Sequence, residues 1–245
     1  MTSELVTHAE EQGIAVQKVG QGGQSDQSDF AIPWLKLVQA SSEEVKDGIA
    51  KPGEFLHSEA GALESINFVP LHIQYTRDFY DADAGKNICS SQDRITGHPR
   101  DKRVFADVEI EVDDGPLACA DCPFNNMPQW EKKACKKGYT ITGYDTDTET
   151  PFLYRVKGSA VSEFKNRFVG AVAMGRAAPW QRQYEMTAAK KSNGGNSWFG
   201  PTLQPTKGNS EAEQQFYQAM AEGYGQPQHV ASVDSDEFDA DLPFG

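Results

Sequence analysis

Four cysteines are the residues of this sequence best placed to do chemistry: Cys89, Cys119, Cys122 and Cys135 follow the spacing C-x29-C-x2-C-x12-C. Cys119-Ala120-Asp121-Cys122 makes a tight knuckle whose two thiolates can hold one side of a tetrahedral ion, and Cys89 and Cys135 can close the other. Four soft ligands leave no corner for a reactive water, so the pattern predicts a structural zinc ion (Zn2+) rather than a hydrolytic one. An iron–sulfur cluster, or a redox pair at Cys119 and Cys122, suits the same residues. His98 is an alternative to Cys89 as a ligand.

A second constellation interleaves rings with cations, the combination that binds single-stranded nucleic acid: cations follow the phosphates and bases stack on aromatic faces. Tyr154-Arg155-Val156-Lys157 and Trp180-Gln181-Arg182-Gln183-Tyr184 carry it on neighbouring strand candidates, and Tyr75, Arg77 and Tyr80 extend it. Lys190, Lys191, Trp198 and Phe199 flank the loop SNGGNSWFG, whose glycines let backbone approach a phosphate. Rings in strands are also common core residues, so Tyr154, Trp180 and Tyr184 count as a group and not singly. Enzyme chemistry finds little support: the sequence has no Walker-type phosphate loop, no His-Glu-x-x-His and no nucleophile elbow, and its five histidines are scattered. The chain is expected not to be an enzyme.

The elements that must position these residues are mostly strands. SINFVPLHIQYTRDFY is the clearest, with Val69, Leu71 and Ile73 alternating onto one face that Tyr75, Arg77 and Phe79 continue, and with Pro70 marking an edge or a bulge. YTITGY and PFLYRVKGS read as strands joined by the acidic turn DTDTET. SAVSEFKNRFVGAVAM has the helical spacing of Val161, Phe164, Phe168 and Val172, with Ser159 or Ser162 as its cap, although Gly170 weakens it. PWQRQYEMTAAKKS returns to a strand, Trp180, Arg182 and Tyr184 sharing a face. NSEAEQQFYQAMAEG is a helix, with Ser210 and Glu213 at capping-box spacing and Gly223 at its stop.

Strands, a helix after the third or so, then further strands: the order predicts a mainly β chain with a few helices, an OB-fold-like five-stranded barrel interrupted by a cysteine-rich zinc-binding insertion. The expected limits are a disordered arm over 1–29, a DNA-binding domain over 30–230 with the insertion at about 85–138, and an acidic disordered tail over 231–245. No apolar run is long enough to span a membrane and the N-terminus lacks a signal core, which predicts a cytoplasmic protein without membrane contact.

The net charge of −13 first argues against a polyanionic partner, but the charge is unevenly spread. Residues 1–150 hold 14 Lys and Arg against 26 Asp and Glu, and residues 211–245 hold eight acids with no Lys or Arg. Residues 151–210 hold nine Lys and Arg against Glu163 and Glu185, so one basic block sits in an acidic chain.

The sequence ends DSDEFDADLPFG, an acidic run closed by two apolar groups held by a proline, which suits docking into a basic-rimmed pocket. Its tip DADLPF resembles the acidic tip of bacterial single-stranded DNA-binding proteins, with Leu242 where those usually have Ile and with Gly245 added after Phe244. The resemblance implies that Asp239, Asp241, Leu242, Pro243 and Phe244 recruit replication and recombination proteins. In plan the chain also resembles phage single-stranded DNA-binding proteins of the T-even type, which have an OB-fold core, an inserted zinc site and an acidic tail. Those use a histidine with three cysteines where this chain offers four cysteines. The expectation is therefore a non-sequence-specific single-stranded DNA-binding protein, viral in origin, that coats unwound strands and acts in the host cytoplasm. The alternative is a zinc-containing acidic adaptor that binds a polymerase or a transcription or replication factor and no DNA.

Overall fold

The computed structural model describes residues 32–81, 85–101, 105, 116–128, 131 and 134–224. Eleven strands dominate it: β1 Trp34–Leu37, β2 Phe55–His57, β3 Gly61–Leu63, β4 Ser65–Asp81, β5 Lys86–Ser91, β6 Thr96–Pro99, β7 Leu117–Ala118, β8 Lys136–Asp145, β9 Thr150–Val156, β10 Arg182–Asn193 and β11 Asn196–Gly208. They form an open mixed sheet ordered β3-β2-β1-β9-β8-β4-β5-β6-β7, in which β10 pairs with β4 and β11 pairs with β10. The ladders are antiparallel apart from β1 on β9. The fold is thus mainly β with few helices, as the composition and strand patterns predict. The arm over 1–29 and the tail over 231–245, with Asp239, Asp241, Leu242, Pro243 and Phe244, lie outside the described residues.

β4 organises the sheet because its 17 residues serve three neighbours. One edge carries β8 from Phe68 to Asp78; the other carries β10 along Ser65–Thr187 to Phe68–Tyr184 and then β5 from Arg77 to Asp81. The register slips between Pro70 and His72, the bulge that a proline inside a strand invites, since it has no N–H for the ladder. That slip changes which residues face inward. Ile66 and Phe68 enter the main core before it, and Ile73 and Tyr75 pack against the same core after it. Val69 and Leu71 are fully buried outside that cluster, so the single alternating face expected from Val69 to Ile73 does not hold.

The main core lies between the sheet and the segment that follows β9. Here the expected helix forms in three pieces: Ala160–Phe164, a π-helical turn Lys165–Val169, and Gly170–Ala173. The wider turn lets Phe168 and Val169 both join Phe164 in the core. It also explains Gly170, since a Cβ there would stand 2.8 Å from the Lys165 carbonyl oxygen. Ser159 makes no side-chain cap, and the Ser162 hydroxyl donates instead to the Ser159 carbonyl at 3.1 Å. The last helix, Glu211–Tyr224, has the expected capping box: Ser210 N–H donates to Glu213 Oε2 at 2.7 Å, and the Ser210 hydroxyl does so at 2.8 Å. His72 Nε2 lies 2.6 Å from the Ala221 carbonyl and ties this helix to β4.

Among the described residues the hydrogen-bonded ladder does not close. Between β11 and β1 the connection is a side chain: Gln39 Nε2 donates to the Phe199 carbonyl at 3.0 Å, and Phe199 N–H donates to Gln39 Oε1 at 2.8 Å. A buried amide with one donor and one acceptor thereby copies one backbone pair.

Candidate metal centre and nucleic-acid interface

All four cysteines are buried and they border one small apolar space together with Phe79, Phe105 and Leu117. Three separate stretches deliver them. Cys89 comes from β5, paired with Phe79 of β4. Cys119 and Cys122 come from the knuckle after β7, where Cys119 N–H donates to the Ile95 carbonyl at 2.7 Å and Cys122 N–H to the Cys119 carbonyl at 3.3 Å. Cys135 precedes β8 and is anchored by its N–H on the Phe124 carbonyl at 2.7 Å. Phe79, Ile88, Phe105 and Phe124 surround them in a second core, with Phe79 and Phe124 stacked at 4.4 Å.

The sulfurs approach closely at Gly97, where an added Cβ would stand 3.2 Å from Cys89 Sγ and 3.5 Å from Cys119 Sγ. Burial pushes the Cys89 thiol up to about 12, with the Cys119 and Cys122 sulfurs adding to the rise. Burial lifts Cys135 to about 12 as well, with Cys89 next among the causes. For Cys122 burial again raises the thiol, while the N–H groups of Asn125 and Phe124 and the charge of Arg77 oppose the rise. Among the described residues, no three or more His, Cys, Asp and Glu side chains are drawn together as a coordinating group. His98 is exposed on β6, paired with Ser90.

The aromatic and basic residues do not form one surface. Tyr154 is 6% exposed and Tyr184 is 7% exposed; both belong to the main core, where Tyr154 stacks on Phe164 and Tyr184 packs on Phe168. Neither ring presents a face on which a base could stack. Tyr75 packs edge-on to Tyr139 against the same core. Arg155 and Lys157 both reach Asp78, at 2.7 and 3.9 Å, so two cations of the block already face a carboxylate. Arg77 lies opposite Ser91 on β5, with Nε and Nη1 buried and without a hydrogen-bond partner. Tyr80 lies at the end of β4 opposite Asn87.

Trp180 does not share a strand face with Tyr184, because it lies in the 3-10 turn Pro179–Gln181, and the register of β10 shifts between Gln183 and Tyr184, which breaks the alternation from Arg182. Trp180 and Arg182 stand at the base of the β10–β11 hairpin. The remaining residues gather at its other end: Lys190 pairs with Phe199 and Lys191 with Trp198, just before the turn Asn193–Asn196. Gly194 and Gly195 both take positive φ, 56° and 89°, as a two-residue hairpin turn with the twist of its strands requires. Lys191 lies over Gly200, and Trp198 Nε1 donates to the Ser159 hydroxyl at 3.2 Å. Eight residues of strand separate Arg182 from Lys190, about 26 Å, so the basic block has two ends rather than one patch.

Sequence reasoning missed Arg94. It takes φ 62° in the β5–β6 turn, donates to the Thr76 carbonyl at 3.0 Å and to the Gly138 carbonyl at 2.5 Å, and lies about 5 Å from the ring centres of Tyr75 and Tyr139. Its local signal is Asp93, whose carboxylate accepts from Ile95 and Thr96 N–H and fixes the turn.

A family model described as Pam3 phage gp34-like protein matches residues 9–89, the stretch that runs through β1 to β5 and ends on Cys89. The match covers about a third of the chain and supports a phage protein. Comparison with curated proteins and with solved structures gives no match. No described helix is long and apolar enough to cross a membrane.

Proposed function

We propose that the chain is a phage single-stranded DNA-binding protein, built on an OB-like, partly open barrel, that coats unwound strands without turnover. The observation that carries this reading is the place of the β10–β11 tip in the strand order. β4, β8, β9, β10 and β11 follow one another in the ladder as β9-β8-β4-β10-β11, and the helical segment lies between β9 and β10. An OB-fold has this order with its helix between the third and fourth strands, and it binds oligonucleotides through the loops after its first and fourth strands. By that correspondence the cysteine-bearing segment occupies the first of these loops and the Lys190, Lys191 and Trp198 hairpin the second. β1 and the Gln39 bridge stand where such a barrel closes.

On this reading Lys190 and Lys191 face phosphate and Trp198 offers a ring to a base, while Trp180 and Arg182 extend the path at the hairpin's base. The cysteines hold structural zinc. The donor set fits by type, although among the described residues the thiols are not drawn together as a coordinating group: four of them line one space, Gly97 has no Cβ to crowd the two nearest it, and four thiolate ligands would leave no corner for water. When bound, zinc supplies a cross-link that fixes the loop against the end of β4, and no reaction. The acidic tail recruits replication and recombination proteins and competes with DNA for the basic residues.

Titration with unstructured oligo-dT, followed by tryptophan fluorescence with an equal-length duplex as control, tests the reading. Quenching by the single strand, a weak response to duplex and affinity that falls steeply with salt are the expected results. No quenching and no salt-dependent binding would contradict it and favour the acidic adaptor.

A further inference from the structure

Arg77 lies on β4 between its Cα partners Ser91 on β5 and Lys137 on β8. Its Nε and Nη1 are buried and have no hydrogen-bond partner. A cation taken from water with idle N–H groups is costly unless an anion faces it. The adjacent carboxylate does not fill that role: Asp78 makes its ion pairs with Arg155 and Lys157, and its charge also acts on Cys89 and Cys135, which adds to the negative charge a loaded site would carry. What Arg77 faces is the side of the cysteine space: it shares its face of β4 with Phe79, the partner of Cys89, and both Phe79 and Arg77's own β5 partner Ser91 line that space. As neutral thiols the cysteines offer it only weak acceptors. As thiolates they are anions and sulfur acceptors.

We infer that Arg77 is the positioning residue of the cysteine centre, its buried N–H groups donating to sulfur when the four cysteines hold a divalent metal. The inference rests on the zinc reading. Loading the site exchanges four thiol protons for one dication and leaves a tetrathiolate of net charge −2, which the guanidinium reduces to −1. Such outer contacts orient ligands and tune their hold on the metal. A protein that must keep this charge buried among phenylalanines has use for one cation beside it.

The test uses the full chain with zinc and cobalt(II) as probes. The unaltered protein is expected to bind one equivalent of zinc and, with cobalt, to give the absorption of a tetrahedral thiolate site. Arg77→Leu should lose roughly 10–100-fold in zinc affinity under chelator competition while its cobalt spectrum keeps the same ligand set. Arg77→Lys should recover part of that loss, because it keeps the charge. If Arg77→Leu folds poorly, Arg77→Lys against Arg77→Gln makes the same comparison of charge kept with charge lost. Equal affinity in the charged and uncharged variants overturns the role of Arg77 and leaves the zinc reading standing. Failure of the unaltered protein to bind zinc overturns both.

Discussion

Single side chains tie together distant parts of this open sheet. Gln39 is the plainest case, since both polar ends of its buried amide serve the backbone of Phe199. Gln39→Ala leaves that N–H and carbonyl without partners; a loss of about 1–3 kcal/mol is expected, read as a lower urea midpoint with an unchanged slope. Gly53 acts at the same junction, because its φ of 91° disfavours a side chain and a Cβ there would stand 2.7 Å from the Phe199 ring. Gly97 plays the corresponding part for the cysteines. Gly97→Val should weaken zinc retention in chelator competition while the main core, which contains none of the residues around Gly97, keeps its near-ultraviolet circular dichroism. None of these three residues stood out from sequence, because each acts through a neighbour far away in the chain.

At the scale of elements, the sequence marked what is local and missed what is relayed. β4, the β8–β9 hairpin and the last helix follow from alternation, a turn and a capping box, all read within a few residues. The bulge at Pro70 was visible, but its effect on facing was not, because the sheet on either side settles which parity is buried. The cysteines were legible as a spacing; the division of the aromatic block was not, since Tyr154 and Tyr184 have the composition of a binding face and the surroundings of a core. The capping box offers a pH test. The hydrogen bond from Lys207, with those from Ser210, holds the Glu213 carboxyl down to about 2, below its ordinary value of 4.5. A carboxyl depressed by folding stabilises fully above its unfolded pKa and loses that contribution as pH falls through the folded one. Amide exchange in the first turn of Glu211–Tyr224 should therefore speed up as pH falls from about 5 to 2, once corrected for intrinsic rates, and Glu213→Gln should remove that pH dependence. The effect is small because the pair is exposed.

For the whole molecule, the proposed function asks an acidic chain to bind a polyanion through a few well-placed cations. A net charge of −13 makes this demanding, so affinity must depend on where the basic residues lie more than on their number. Removing residues 232–245 subtracts five acids and no Lys or Arg, and should raise affinity for single strands at low salt and abolish capture of replication proteins. The most direct measurement is fluorescence anisotropy of labelled oligo-dT with the full chain and with a Lys190→Ala, Lys191→Ala, Trp198→Ala variant, each across a series of salt concentrations. The variant is expected to bind more weakly by about 1–3 kcal/mol for the lost ring, plus the lost phosphate contacts, and its salt slope to fall by about 0.7 for each lysine removed. Identical affinity and slope in the two proteins would contradict the assignment of the hairpin tip to DNA.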